Sequence, residues 1–275
     1  MLFEFLQGKA GNNATLTLPM MRELGAAMAR LHLIPAADVV PFIDQGGCCM
    51  IGEAQRAFLD LEIPAKPHLG DHEYVKELTA VTLPPFFIII DLWHHCDFLL
   101  CVCFLLLKAL PSVMELLHRQ SLPQGIIHTD LFADNALFLG DVLVAVVDFE
   151  EVCQGPCVLD AAMTTMACCF KATPPTYKDT SLNEDLAAAF LAGYTSVREF
   201  TKEEQDLLGE FLKVACRVIS FWRFRHFNVR KEGLSSDAER LRHLEMDERR
   251  LFIDRWVAEG GQIRLLQKVA QALKQ

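Results

Sequence analysis

Three things are scarce in this 275-residue chain, and each scarcity excludes something. Basic residues are outnumbered, with 26 Lys and Arg against 36 Asp and Glu, so the formal charge is −10. A general nucleic-acid binder presents a basic surface, and that class is set aside. Small anionic ligands are not excluded, because a metal ion can manage their charge. Zinc-site spacing is missing as well: the ten cysteines include no C-x-x-C pair. Most of them lie in apolar runs, where a thiol behaves as a small hydrophobe. A cleavable signal peptide is the third absence, and it makes a reducing, cytoplasmic setting the expectation. What is present is apolar, at 52% hydrophobic residues, which excludes wholesale disorder.

The most informative stretch runs from Gly125 to Asp148, GIIHTDLFADNALFLGDVLVAVVD. GII reads as a short strand, HTDLFADN as a polar loop and ALF as a second strand. GD is then a tight turn, and VLVAVVD a third strand ending on an acid. The resulting hairpin brings Asn135 and Asp148 together. His128, Asp130, Asn135 and the Asp148-Phe149 pair follow the type, order and spacing of the kinase catalytic signature. Phosphoryl transfer needs an acid to take the substrate hydroxyl proton, and oxygen ligands to hold Mg²⁺. Asp130 suits the first task, and Asn135 with Asp148 the second. The bland alternative is a polar turn whose side chains merely cap backbone groups.

The stretch from His128 to Thr164 resembles the catalytic core of the aminoglycoside-phosphotransferase-like, or choline-kinase-like, superfamily. DLFADNALF followed by VVDFEEVC and LDAAMT most resembles the homoserine kinases of that fold, and RVISFWRFRHFNV, at 217–229, resembles their C-terminal helical region. The resemblance is weak over residues 1–50 and good over 110–250. It implies an α+β fold: a protein-kinase-like C-terminal lobe, mostly helical, with a small catalytic β-hairpin. It implies ATP and Mg²⁺ as cofactors and a small molecule such as homoserine as substrate. Another small acceptor, an amino alcohol or a sugar, remains open, as does a non-catalytic remnant. Carried over by position, Asp130 is the catalytic base, His128 braces the loop, and Asn135 and Asp148 are the metal ligands. Asp160 ties the following helix to the loop. Leu137 and Phe138 would floor the adenine site, with the hinge backbone around Glu4 and Phe5 on its edge.

Two departures from the family pattern stand out. Glu150 and Glu151 follow the D-F pair where many relatives carry glycine. Glu150 could touch Mg²⁺ or a substrate ammonium, or belong to a solvated acidic turn. The chain also opens on MLFEFLQGKAG, which resembles the inter-lobe hinge. Gly8 and Gly11 are too sparse for G-x-G-x-x-G, and Lys9 is expected past the hinge rather than on a strand. The expectation is therefore that the N-terminal nucleotide lobe is largely absent, with 1–12 a hinge remnant, 13–259 the C-terminal lobe and 260–275 a helical tail. A transit segment lost with the missing lobe would allow an organelle.

Elsewhere the pattern is helical. Residues 18–33 repeat apolar positions at Met21, Leu24, Ala27, Met28 and Leu31. His32 ends that run and is expected to be structural, since no acid neighbours it in sequence. Asn183 to Tyr194 is helical, and Thr201 with Glu204 forms a capping box ahead of an apolar stripe to Phe221. Glu239 to Trp256 is charged and amphipathic, stopped by Gly260-Gly261. Arg223 and Arg225 could bind an amino-acid carboxylate through a bidentate fork, or simply flank a helix whose apolar side is buried.

Residues 81–109 are anomalous. Phe86 to Leu107 is almost long enough to span a bilayer, yet Asp91, His94, His95 and Asp97 stand near its centre. Each acid there costs roughly 2.5–3.5 kcal/mol. Three readings stand: a membrane helix, a buried helix or strand pair, and an insert such as a retained intron. The third is favoured because removing the segment joins a plausible helix to the catalytic loop.

Overall fold

The computed structural model describes residues 7–39, 121–171, 180–231 and 233–274, with isolated positions at 62, 66, 72, 74, 75 and 119. Two compact units divide the chain, Met1–Gln45 with Leu122–Gln275, and Gly46–Ser121. The description below concerns the first. Glu4, Phe5 and the anomalous 81–109 stretch lie outside the described residues. Among the described residues no helix is long and apolar enough to cross a membrane.

Strand β1 (Lys9–Ala10) leads to helix α1 (Leu18–His32) and the single turn α2 (Ala36–Val39). Strands β2 (Gln124–Ile127), β3 (Ala136–Leu139), β4 (Val142–Val146) and β5 (Cys153–Pro156) precede α3 (Cys157–Cys168). The short strands β6 (Phe170–Lys171) and β7 (Ser181–Leu182) pair before α4 (Glu184–Thr195) and the long α5 (Lys202–Arg225). A π-helical turn (His226–Arg230) ends α5, and α6 (Asp237–Arg240), α7 (Arg242–Ala258) and α8 (Gly261–Ala272) complete the unit. It is a mostly helical α+β lobe with three small antiparallel sheets.

Local chemistry explains the helix ends. Thr17 accepts the Met20 N–H at the start of α1, and Asn183 accepts the Leu186 N–H at the start of α4. Thr201 and Glu204 form both halves of the capping box on α5, as the sequence predicts. The β3–β4 hairpin also forms as expected: its strands pair across Gly140, whose φ of 62° suits a tight turn. One expectation is corrected. Lys9 lies on a strand, because β1 pairs with β3 through Lys9↔Phe138 and Ala10↔Leu137 and satisfies part of the hairpin's open edge.

All twelve residues of α3 are buried, in keeping with its lack of a charged face except Asp160. It packs against α5, while α1 packs along α4. The α1–α4 crossing is set by two glycines. A Cβ on Gly25 would overlap the Phe190 carbonyl, and one on Gly193 would overlap the Arg22 carbonyl. Only with both side chains missing can the two backbones approach so closely. The cysteines Cys153, Cys157, Cys168, Cys169 and Cys216 are free thiols buried in this core.

Candidate active site

The loop between β2 and β3 carries His128, Asp130 and Asn135, and the end of β4 carries Asp148. Pairing of β3 with β4 closes the distance, since the Val147 N–H donates to the Asn135 carbonyl at 3.0 Å. The Asn135 amide then donates to the Asp130 carbonyl at 2.7 Å and to its carboxylate Oδ2 at 3.1 Å. Both partners are acceptors, so the Asn135 nitrogen faces Asp130, and its Oδ1 accepts no hydrogen bond among the described residues. Asp148 is exposed and makes no hydrogen bond or ion pair among the described residues. These two unclaimed oxygen-bearing groups fit a hard cation that retains several waters and phosphate oxygens. Among the described residues no set of three or more His, Cys, Asp and Glu could hold a metal by itself.

His128 is fully buried and bridges the two strands. Its Nε2 donates to the Val147 carbonyl at 3.0 Å, while Nδ1 accepts the Asp130 N–H at 3.3 Å. Its ring also packs on Phe149 at 4.9 Å. The loop is strained at Thr129, where φ is 65°, uncommon for a β-branched residue. Asp160 holds it there, accepting the His128 N–H at 2.8 Å on Oδ2 and the Thr129 N–H at 2.8 Å on Oδ1. Thr129 Oγ1 adds a bond to the Glu151 carbonyl at 3.0 Å, and Thr164 Oγ1 donates to the Leu131 carbonyl at 2.9 Å. Asp148 is the second non-glycine residue in the left-handed region among the described residues, with φ 66°, a conformation more accessible to aspartate.

Electrostatics distinguish the two aspartates. Burial, then the charge of Asp134, raises the Asp130 carboxyl to about 6, with smaller contributions from Asp148 and Glu151 and opposition from the Asn135 hydrogen bond. An acid so placed is close to the ideal range for taking a proton near neutrality. Burial alone would raise Asp160 too, but the hydrogen bond from His32 and those from the two loop N–H groups override it, and its carboxyl falls below the ordinary value.

Other expected site residues fall in varied places. Leu137 and Phe138 are strand neighbours and so face opposite sides. Phe138 is buried beneath Gly11, while Leu137 is half-buried beside Gly8, which also approaches Val144. Glu150 is exposed at the turn after Phe149. Arg223 donates to Glu245 at 2.7 Å, and the buried Arg225 lies 5.5 Å from the Trp222 ring centroid. Arg223 belongs to the α5–α7 packing, and among the described residues neither arginine joins the hydrogen-bonded set around Asp130. Asp134 is the residue sequence reasoning overlooked: its i+4 spacing from Asp130 in DLFAD is the signal that would have found it. Thr129, hidden in the motif's variable position, carried no such signal.

A loop carrying Asp130 and Asn135, followed by a hairpin that leads to Asp148, on a mostly helical body defines a kinase-like C-terminal lobe. The chain belongs to the family described as the phosphotransferase enzyme family, whose model matches residues 1–200. A homoserine kinase of Brucella ovis is 47% identical over 87 residues, 32% of this chain and 25% of that protein. The homoserine kinase of Brucella anthropi is 46% identical over the same length. The chain thus spans about a quarter of the length of these curated relatives. Among solved structures, choline kinase from Cryptosporidium parvum Iowa II matches with a TM-score of 0.56 at 14% identity. That match covers 94% of this chain and 71% of that one, and it shows the shared fold.

Proposed function

We propose that this protein is an ATP-dependent kinase of a small-molecule hydroxyl, with homoserine as the acceptor, acting in threonine synthesis in the cytoplasm. The observation that carries the reading is the Asp130–Asn135 pair set beside the unclaimed carboxylate of Asp148. The identity to homoserine kinases supports the choice of acceptor.

In this reading residues 13–259 form the catalytic lobe and 260–275 its helical tail. Asp130 accepts the acceptor hydroxyl's proton as the oxygen attacks the γ-phosphate. Asn135 holds that carboxylate in place and offers Oδ1 to the metal, and Asp148 supplies the second ligand. Bound there, Mg²⁺ supplies charge neutralisation at the phosphate oxygens. Leu137 forms the adenine floor, with Phe138 packed beneath it; Glu4 and Phe5, the candidates for its edge, lie outside the described residues. Glu150 faces the acceptor's ammonium, and Arg223 or Arg225 takes its carboxylate on exchanging its present contact.

The test is ADP release with homoserine, an amino alcohol or a sugar as acceptor, on this chain and on Asp130→Asn. Homoserine-dependent release that falls by about a thousandfold or more in the variant supports the reading. Preference for another acceptor overturns the homoserine assignment. Absence of turnover with every acceptor leaves a kinase-like binding protein.

A further inference from the structure

The bonds that hold the catalytic loop continue beyond Asp160 into three further side chains. His32 Nε2 lies 3.0 Å from Asp160 Oδ2, and His32 Nδ1 lies 2.7 Å from the Tyr194 hydroxyl. Arg198 donates to that hydroxyl at 2.8 Å and to Glu204 Oε1 at 2.9 Å. Glu204 also accepts the Thr201 N–H at 2.8 Å as part of the α5 capping box. His32, Asp160, Tyr194 and Glu204 are each at most 5% exposed. The row joins α1, α3, α4 and α5, and its last link is the backbone of His128 and Thr129.

Counting donors fixes the protons along it. A guanidinium only donates, so the Tyr194 oxygen accepts from Arg198. The single hydroxyl hydrogen of tyrosine is then directed at His32 Nδ1. His32 therefore carries its hydrogen on Nε2 and gives it to Asp160. An imidazolium would set the Nδ1 hydrogen against the hydroxyl hydrogen in a site closed to water, where neither has another acceptor. The three bonds between the Arg198 cation and the Asp160 anion therefore point the same way, from Arg198 through Tyr194 and His32 to Asp160. Cys157 on α3 is the remaining titratable group beside Tyr194, and burial keeps its thiol neutral by pushing it up to about 12.

We propose that Tyr194 is a positioning residue of the catalytic loop: its hydroxyl, oriented by Arg198, selects the Nε2–H tautomer of His32 and thereby sets the Asp160 carboxylate that holds His128 and Thr129. Asp130 follows directly on Thr129, so its direction depends on this row. The link to catalysis rests on the kinase reading; the tautomer does not.

The test is the ¹⁵N spectrum of the full chain labelled at histidine, with His32 assigned by the loss of its signals in His32→Gln. The expected result is a ring with its hydrogen on Nε2 and a bare, hydrogen-bond-accepting Nδ1. In Tyr194→Phe the ring keeps its stack on Phe200, 4.6 Å between centroids, but Nδ1 loses its donor. Both nitrogen signals should then move toward tautomer-averaged positions, and kcat should fall about tenfold with KM within about twofold. An imidazolium or an Nδ1–H tautomer in the parent chain overturns the proposal, as do unchanged His32 signals in Tyr194→Phe. If that variant does not fold, Arg198→Gln is expected to move the same signals less far, and unchanged signals there also overturn it. If the parent chain turns over no acceptor, the kinase reading fails and the spectrum alone decides this proposal.

Discussion

Asp130 keeps its proton up to about pH 6 because burial and the charges of Asp134, Asp148 and Glu151 outweigh the Asn135 hydrogen bond. The sign of its effect on stability follows. The folded carboxyl holds its proton more tightly than the unfolded one, so stability falls as pH rises from the ordinary carboxylate value to about 6. Above that range the ionised group opposes folding in the metal-free chain. Asp130→Asn should therefore abolish turnover while stabilising the metal-free chain by about 1 kcal/mol at pH 8, after allowance for solvent screening, and by almost nothing near pH 3. Urea unfolding at the two pH values checks this, and a destabilised variant at pH 8 would contradict it. Asp160 carries the opposite sign. Its depressed carboxyl contributes stability that is fully present above the ordinary carboxylate value and lost as pH falls through the lower folded value. Asp160→Ala strands the His32, His128 and Thr129 donors and should cost about 3–5 kcal/mol in the same assay at pH 7.

At the scale of elements, the α1–α4 crossing decides whether His32 can reach Tyr194. Gly25 and Gly193 let the helices touch backbone to backbone, one turn or more before His32 at the end of α1. Gly25→Ala should cost about 3 kcal/mol by overpacking, despite alanine's better helix propensity. A rise in denaturation midpoint would refute the steric account. The capping box on α5 gives a milder case, in which Thr201→Ala should lower stability by about 1 kcal/mol. The same change releases one anchor of Glu204, so its effect should not be additive with Arg198→Gln in a double-mutant cycle. The middle of α7 is joined to the end of α3 by Arg249, which donates to the Met166 carbonyl and, within α7, to Glu245. The Arg223–Glu245 bond extends that cluster to α5.

Across the whole described unit, thiols are placed as core residues. Cys153, Cys157, Cys168, Cys169 and Cys216 are buried, and burial pushes Cys168 up to about 12 and Cys169 and Cys216 well above the usual thiol range. A protonated, enclosed thiol is a poor nucleophile. In native protein these five should resist alkylation and react only after unfolding, as peptide mapping would reveal; native labelling of any of them would contradict the packing. The helical lobe and its hairpin are consistent with the shared fold of choline kinase, and the family match from residue 1 to 200 includes every site residue except the two arginines.

Local order was written in the sequence wherever short-range chemistry decides it. The H-x-D-x-x-x-x-N spacing, the Gly140 turn and the apolar alternation specify the loop and hairpin, because hydrogen bonds and strand periodicity act within a few residues. Thr201 and Glu204 announced the start of α5 for the same reason. Contacts between distant residues had no such trace. His32 showed no acid neighbour in sequence, yet the helix crossing brings Asp160 to it across 128 residues of chain and Tyr194 across 162. The strained Thr129, the charge on Asp130 from Asp134 and the pairing of Lys9 with Phe138 likewise depend on which backbones meet. Those meetings follow from side-chain volume at crossings such as Gly25 and Gly193, which only the packed tertiary structure reveals.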